Sequence, residues 1–286
     1  MSGSGANLGV CFYSDRLYYA INDAEHAKNL KHIGALHFNF DVLQALSQNK
    51  EEQVTNIKMA FDALHKEHDI KSTRVLTDSS NECWTTLPKV VYDNADERED
   101  HINILMQGVE REYIEPTWHT ISNADFRLLN LRKRHVMQGY EILTDQIAVT
   151  EFVSDFELGE KWEALEKKGG SFMMIGCQPC LITIASFVLG KLRAATFIQF
   201  DEVEDIPYLW MQKSAHLSWM NGLHEHIFIY GHQGYDIIEA MQGFWDKASD
   251  VQRIHSLEHI GVQAEEETYG FDLACAFPAI LLSLDI

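Results

Sequence analysis

Basic residues are scarce in this chain: 23 Lys and Arg stand against 43 Asp and Glu, a formal charge of −20 over 286 residues. That shortage excludes a broad cationic face for nucleic acid or an anionic lipid surface, since both need clustered Lys and Arg. The one compact basic run, residues 132–135, reads as a solvated turn or strand end. Cysteine is sparse as well. Five is an odd number in a chain far too large to need stapling, which fits a reducing cytoplasm. The first six residues show no charged region followed by an apolar one, so no secretory signal is expected there. Glycine-rich phosphate loops, nucleophile elbows and dinucleotide fingerprints are all missing.

Long apolar runs are missing too, with one exception. Residues 169–190 form a 22-residue stretch without a charge, long enough to cross a bilayer. Its centre is Gln178-Pro179, glycines fall at 169, 170, 176 and 190, and β-branched residues surround them. This reads as two buried strands joined at a turn, so no membrane span is expected.

What is present is globular: 46% hydrophobic and 11% aromatic residues argue against a mostly disordered chain. Residues 8–13, 17–21 and 32–40 are short apolar runs separated by polar turns, as in an antiparallel meander. Val42, Leu46, Val54, Ile57, Phe61 and Leu64 then predict a helix over residues 41–68 with Asp41 as its N-cap. A strand over 73–77 completes a β-β-β-α-β order. The order recurs at 171–176, 180–188, 191–200, a helix over 202–223 and a strand over 227–230. The segment His37 to Asp41 (HFNFD) matches Phe197 to Asp201 (FIQFD) at an offset of 160. A repeat this long implies a duplicated domain rather than a solenoid. Between the copies, an acidic segment at 93–100 opens a helix expected to reach about residue 113. Strands are expected from Trp118 and over 126–131, then a strand over 145–153 and a helix over 157–168. The second copy is followed by a helix over 235–247, a strand over 251–257 and an apolar helix over 271–284 interrupted by Pro278.

Two motifs invite chemistry. His255, Glu258 and His259 fit the H-x-x-E-H zinc-peptidase pattern, which needs both His on one helical face, the Glu as base and a distant third ligand. The surrounding residues alternate like a strand, so ordinary histidines are the preferred reading and a zinc hydrolase the third. Cys177 and Cys180 have the spacing of a redox dithiol or half a zinc ribbon. A β-branched run follows instead of a helix, and there is no second C-x-x-C, so a hairpin turn with two incidental thiols is preferred.

The duplicated β-β-β-α-β unit with an insertion in its first half resembles the actin/Hsp70/sugar-kinase superfamily. It looks most like the type IV pilus-assembly actin-like proteins and a related bacterial family of unknown function. Leu8-Gly9-Val10 answered by Leu17 to Ile21 carries this, as do residues 70–76 leading through Trp84 to Leu87-Pro88, and Ile229-Tyr230-Gly231 before Ile237. The resemblance implies duplicated ribonuclease H-like α/β domains, 7–150 with a small inserted subdomain and 151–286, facing across a cleft. In that superfamily ATP lies in the cleft, two hairpin turns hold its phosphates, and strand-end carboxylates organise Mg²⁺. Carried over, the first carboxylate falls near Cys11 and the second near Ile175, with Gly176 retained and the adenosine glycines at Gly231-His232. Both expected aspartates are absent, and Mg-ATP hydrolysis would lose its main electrostatic support. The expected site is a vestigial nucleotide cleft at Ser14, Asp15, Gly176, Gly231 and Gly234, with no catalytic or metal residue. The leading expectation is a cytoplasmic, catalytically degenerate actin-like protein that needs no cofactor. It would act as a scaffold or adaptor toward a protein partner, with self-association left open. The alternative is an ATP/Mg-binding protein using Asp15, Asp145 or Glu151 in unconventional positions.

Overall fold

The computed structural model describes residues 5–23, 25–26, 28–106, 109–120, 125–147, 149–167, 169–245, 247–257, 261–264 and 271–284. The first apolar runs form β1 (Ala6–Phe12), β2 (Arg16–Asn22) and β3 (Asn29–His37), each antiparallel to the one before. Asp41 caps α1 (Val42–Ser47), its carboxylate accepting from the Gln44 amide at 2.8 Å. The single helix expected over 41–68 is two helices. Asn49 turns left-handed (φ 49°), a conformation asparagine tolerates, and α2 (Glu51–Glu67) starts afresh behind it. Val54, Ile57, Phe61 and Leu64 give α2 one buried stripe. β4 (Ile70–Thr77) then returns parallel to β1.

The insertion follows: β5 (Glu82–Pro88), α3 (Lys89–Asp93), α4 (Ala95–Leu105), β6 (Ile114–Thr120) and β7 (Phe126–Lys133). Its three strands make a separate sheet in the order β5-β7-β6. α4 ends well before residue 113; it buries one residue, Ile102, so little packing extends it. The basic run begins as a strand end, one of the two readings, but it is not solvated throughout. Arg132 is buried at the end of β7, and Arg134 opens α5 (Arg134–Thr144), a helix that the apolar periodicity did not reveal. β8 (Thr150–Ser154) pairs parallel to β4 at the edge of the first sheet.

The second copy comprises α6 (Leu158–Glu166), β9 (Ser171–Gln178), β10 (Leu181–Val188), β11 (Lys191–Gln199), α7 (Ile206–Ser214), β12 (His226–Gly231), α8 (Gly234–Met241) and β13 (Asp250–Arg253). The uncharged stretch is the β9–β10 hairpin, with Gln178 opposite Leu181. Among the described residues no helix is long and apolar enough to cross a membrane. α7 stops at Ser214 rather than near 223, and a 3₁₀ turn over Ser218–Asn221 follows it. β14 (Gln263–Ala264) crosses back to pair with β3, and α9 (Leu273–Ser283) closes the chain.

The first sheet runs β14-β3-β2-β1-β4-β8 and the second β11-β10-β9-β12-β13. Apart from β14 the two orders are the same: an antiparallel meander extended by two parallel strands. Each sheet has an outer core. Val10, Phe12, Ile57, Phe61 and Tyr140 pack the first sheet against α1, α2 and α5. Ile175, Ile184, Ile229, Trp210 and Ile237 pack the second against α7 and α8. The largest core lies between the sheets, where Trp162 of α6 and Phe277 of α9 meet Phe228 and Tyr230 of β12. α9 approaches β1 so closely at Gly9 that a Cβ there would lie 2.6 Å from the Ser283 amide nitrogen. Arg74 closes the far end of α9, its guanidinium donating to the carbonyls of Leu282 and Leu284 at 3.0 and 3.1 Å.

Candidate functional site

The tips of the β1–β2 and β9–β10 hairpins face each other across a groove of about 380 Å³. Ser14 lines it from the first tip and Gln178, Pro179 and Cys180 from the second, with Asp41 and Asp78 between them. The strand order explains the meeting. In each sheet the first hairpin is central, so its tip projects from the middle of that sheet's end.

Of the expected residues, only Ser14 reaches this groove. Its carbonyl accepts from the Val42 amide at 2.7 Å and fixes the start of α1. Asp15 is half exposed and doubly bonded to Arg16, which donates from Nε at 2.8 Å and Nη2 at 2.6 Å. Those bonds hold its carboxyl below the usual value. Gly176 is buried in β9, where a Cβ would lie 2.6 Å from both Thr183 Oγ1 and Tyr230 Oη. Gly231 has φ 92°, and a side chain there would strike the Cys177 carbonyl. Gly234 begins α8 against Arg253. Asp145 sits at the end of α5, and Glu151 on β8 pairs with Arg74 at 2.9 Å; neither lines the groove.

Aromatic packing connects the two halves beside the groove. Tyr13, 4% exposed, sets its ring edge-on against His232, centroids 4.9 Å apart, and donates its hydroxyl to the Cys275 carbonyl of α9 at 3.2 Å. Burial, then the nearby Arg16 charge, lowers the His232 pKa, which favours the neutral ring in this contact. Cys11 is wholly buried behind Tyr13. The two carboxylates on the groove are engaged. Asp41 caps α1, and Asp78 accepts from the Ser80 amide, the Ser80 hydroxyl and the Asn81 amide side chain.

A second polar cluster lies where the two sheets and the insertion converge, and the sequence reading singled out none of its acids. Asp155, in the turn after β8, accepts from Tyr230 at 2.7 Å and from Thr183, so it belongs to the second sheet's wall. Burial raises its pKa to about 6 despite those bonds. Glu82 of β5 accepts from Thr77 (2.7 Å), Ser154 (2.6 Å), Trp84 (2.8 Å) and Asn130 (3.1 Å). Arg132 faces it at 3.2 Å, an ion-pair distance without hydrogen-bond alignment. Glu157 accepts from the Ser154 amide and lies 3.3 Å from His119; burial raises its pKa to about 7. These contacts pin both sheets and the insertion at one junction. A buried acid surrounded by donors was not legible because its partners come from strands up to 75 residues away.

The C-x-x-C cysteines lie in different environments. Cys177 is buried, with its pKa pushed up by burial, and Cys180 is exposed at the tip; both are free. In the H-x-x-E-H segment His255 bonds the Arg253 carbonyl at 3.0 Å, while Glu258 and His259 lie outside the described residues. Among the described residues no three His, Cys, Asp or Glu side chains are grouped to hold a metal.

Two sheets of the same meander-plus-parallel order, facing across a groove with hairpin tips at its rim, define a pair of ribonuclease H-like domains. No protein-family model matches the sequence, and no curated protein matches it. Solved structures do. A chain of the PilM–PilN type IV pilus biogenesis complex aligns over 97% of each chain, with a TM-score of 0.65 and 10% identity. A Bacteroides thetaiotaomicron protein with an actin-like ATPase fold and unknown function aligns over 87% of this chain and 91% of its own, at 0.54 and 15%. The cytoplasmic domain of EpsL, an inner membrane component of the Vibrio cholerae type II secretion system, covers 89% and 92%, at 0.52 and 8%. The fold is that of the actin-like ATPases, as the sequence resemblance implied.

Proposed function

We propose that this actin-like protein is catalytically degenerate and acts through protein contacts, as a scaffold or adaptor. The Tyr13–His232 contact carries the reading: it packs an aromatic pair between the halves, and one member, His232, stands at a position the resemblance assigns to an adenosine glycine. The residues present do not fit a Mg-triphosphate. Asp15 is neutralised by Arg16, Asp41 and Asp78 are spent on local amides, and hydrophobic Cys11 and Ile175 occupy the strand positions where carboxylates were expected. A desolvated phosphate needs preorganised donors and a charge-balancing cation, and the cation beside the first tip, Arg16, is already held by Asp15. Two of the structural neighbours are components of bacterial envelope machines, and one was solved as a complex with a protein partner, which supports the contact role.

Titration calorimetry with Mg-ATP, paired with a thermal-shift measurement, tests this. The expected result is no binding heat and no shift at millimolar nucleotide. Micromolar binding would overturn it in favour of an ATP-binding protein.

A further inference from the structure

The two matched segments, His37 to Asp41 and Phe197 to Asp201, end on aspartates with different employment. Asp41 caps α1, its carboxylate accepting from the Gln44 amide at 2.8 Å. Asp201 is followed by a 3₁₀ turn over Val203–Asp205, and α7 starts only at Ile206. No side chain caps that turn or α7, so neither Asp201 nor Asp205 does the work that Asp41 does. Among the described residues no donor and no cation engages either carboxylate.

Both acids open on a groove of about 610 Å³ beside the tip of the β9–β10 hairpin. Cys180, Gln199, Asp201, Asp205 and Tyr208 line it, and all five are exposed. Tyr208 and Met211, 64% and 54% exposed, stand three residues apart on one side of α7, while Ile206 and Trp210 are buried on the other. One face of the helix is thus apolar and uncovered. Between Arg193 and Lys213 the sequence holds four carboxylates, Asp201, Glu202, Glu204 and Asp205, and no base. Lys213 does not reach toward them: it donates to the Phe197 carbonyl at 2.6 Å and lies over the Phe197 ring. An apolar face rimmed by acids without cations is complementary to a surface that is apolar and cationic together.

We propose that α7 and this groove bind a segment of a partner protein that sets an arginine against Asp201 and Asp205, its guanidinium over the Tyr208 ring, and lays a neighbouring apolar side chain on Met211. Arginine is favoured over lysine because a planar guanidinium both forks onto carboxylates and stacks on an aromatic face. A calcium ion fits worse, since it takes about six to eight oxygens and would leave Tyr208 and Met211 in water. The inference rests on the contact role proposed above and gives it a place and a partner chemistry. Cys180 and Gln199 also line the groove at the hairpin tips, so this partner would sit beside the join of the two halves.

The test is selection of random dodecapeptides, displayed on phage, on the full chain. Enriched peptides are synthesised and titrated against the parent, Tyr208→Ala, and the pair Asp201→Asn with Asp205→Asn. A control pair, Glu67→Gln with Asp69→Asn, removes the same charge from exposed positions at the other end of the first sheet. Thermal unfolding checks that every variant folds. Enriched sequences are expected to join arginine to a large apolar residue. Affinity should fall about tenfold in Tyr208→Ala and in the Asp201 and Asp205 pair, and stay within about twofold of the parent in the control pair. The proposal is overturned if no such sequence class is enriched, if the two charge-matched pairs weaken binding equally, or if Tyr208→Ala binds as the parent does. None of these readouts involves nucleotide, so a failure here removes this site and leaves the Mg-ATP result standing on its own.

Discussion

The two sheets share one strand order, yet their central strands meet the middle of the molecule differently. Counted back from the hairpin tips, Gly9 of β1 corresponds to Met174 of β9. The first position is bare so that the backbone of α9 can lie directly on it; the second carries a side chain that fills the same central core. Their acids differ as well. Asp15 at the first tip is solvated and ion-paired, whereas Asp155 is buried against Thr183 and Tyr230 of the second sheet. A duplicated fold thus keeps its hydrogen-bonding frame while the residues facing the join diverge.

The sharpest way to break this comparison is Gly9→Ala. The added carbon meets helix backbone that cannot yield, so stability should fall by about 3 kcal/mol, whereas a volume-conserving Met174→Leu should cost under about 1.5 kcal/mol. Urea unfolding of both variants measures it, and equal losses would mean that α9 does not sit on β1 as described.

Asp155 comes next. Its folded pKa of about 6 exceeds the ordinary carboxyl value, so the folded chain holds that proton more tightly than the unfolded one. Its contribution to stability is therefore full below about pH 4 and lost as pH rises through about 6. Asp155→Asn should flatten this slope and, net of one lost acceptor, raise stability near pH 7 by about 1–2 kcal/mol. Unfolding midpoints at about pH 4.5 and 7.5 decide the matter; parallel profiles for parent and variant would contradict the buried, charge-penalised environment. Tyr13→Phe keeps the ring against His232 and removes the bond to Cys275, an expected loss of about 1 kcal/mol in the same assay. Asp15→Asn should change stability by less than about 0.5 kcal/mol, because an exposed ion pair contributes little. A larger effect would give the first tip a structural weight that its exposure does not suggest.

The frame of the fold was legible because it rests on local pattern. Apolar runs, the Asp41 cap and the Gln178-Pro179 turn each carry their own signal, and the repeated order of elements pointed to two domains of one type. What stayed hidden depends on distant partners. α5 opens on Arg134-His135, and its buried stripe was masked by the preceding basic run. Arg132 looked solvated because Glu82 and Glu157 lie 50 and 25 residues away in sequence. Of the expected site, Ser14 lies on the groove, while the glycines proved to serve close packing: Gly176 under Tyr230 and Gly231 under Cys177.

The position of α9 also sets the order in which the molecule can be assembled. The inner face of β1 and β2 is made by the first 22 residues, but its cover arrives only with residues 273–283. While the ribosome is still reading the intervening codons, that apolar surface has no native partner, and contacts this far apart in sequence form slowly. A nascent chain of this protein thus keeps that apolar face without its native cover until residues 273–283 have been made. Fragments stopped before residue 273 should be captured by hydrophobic-surface probes that ignore the full chain.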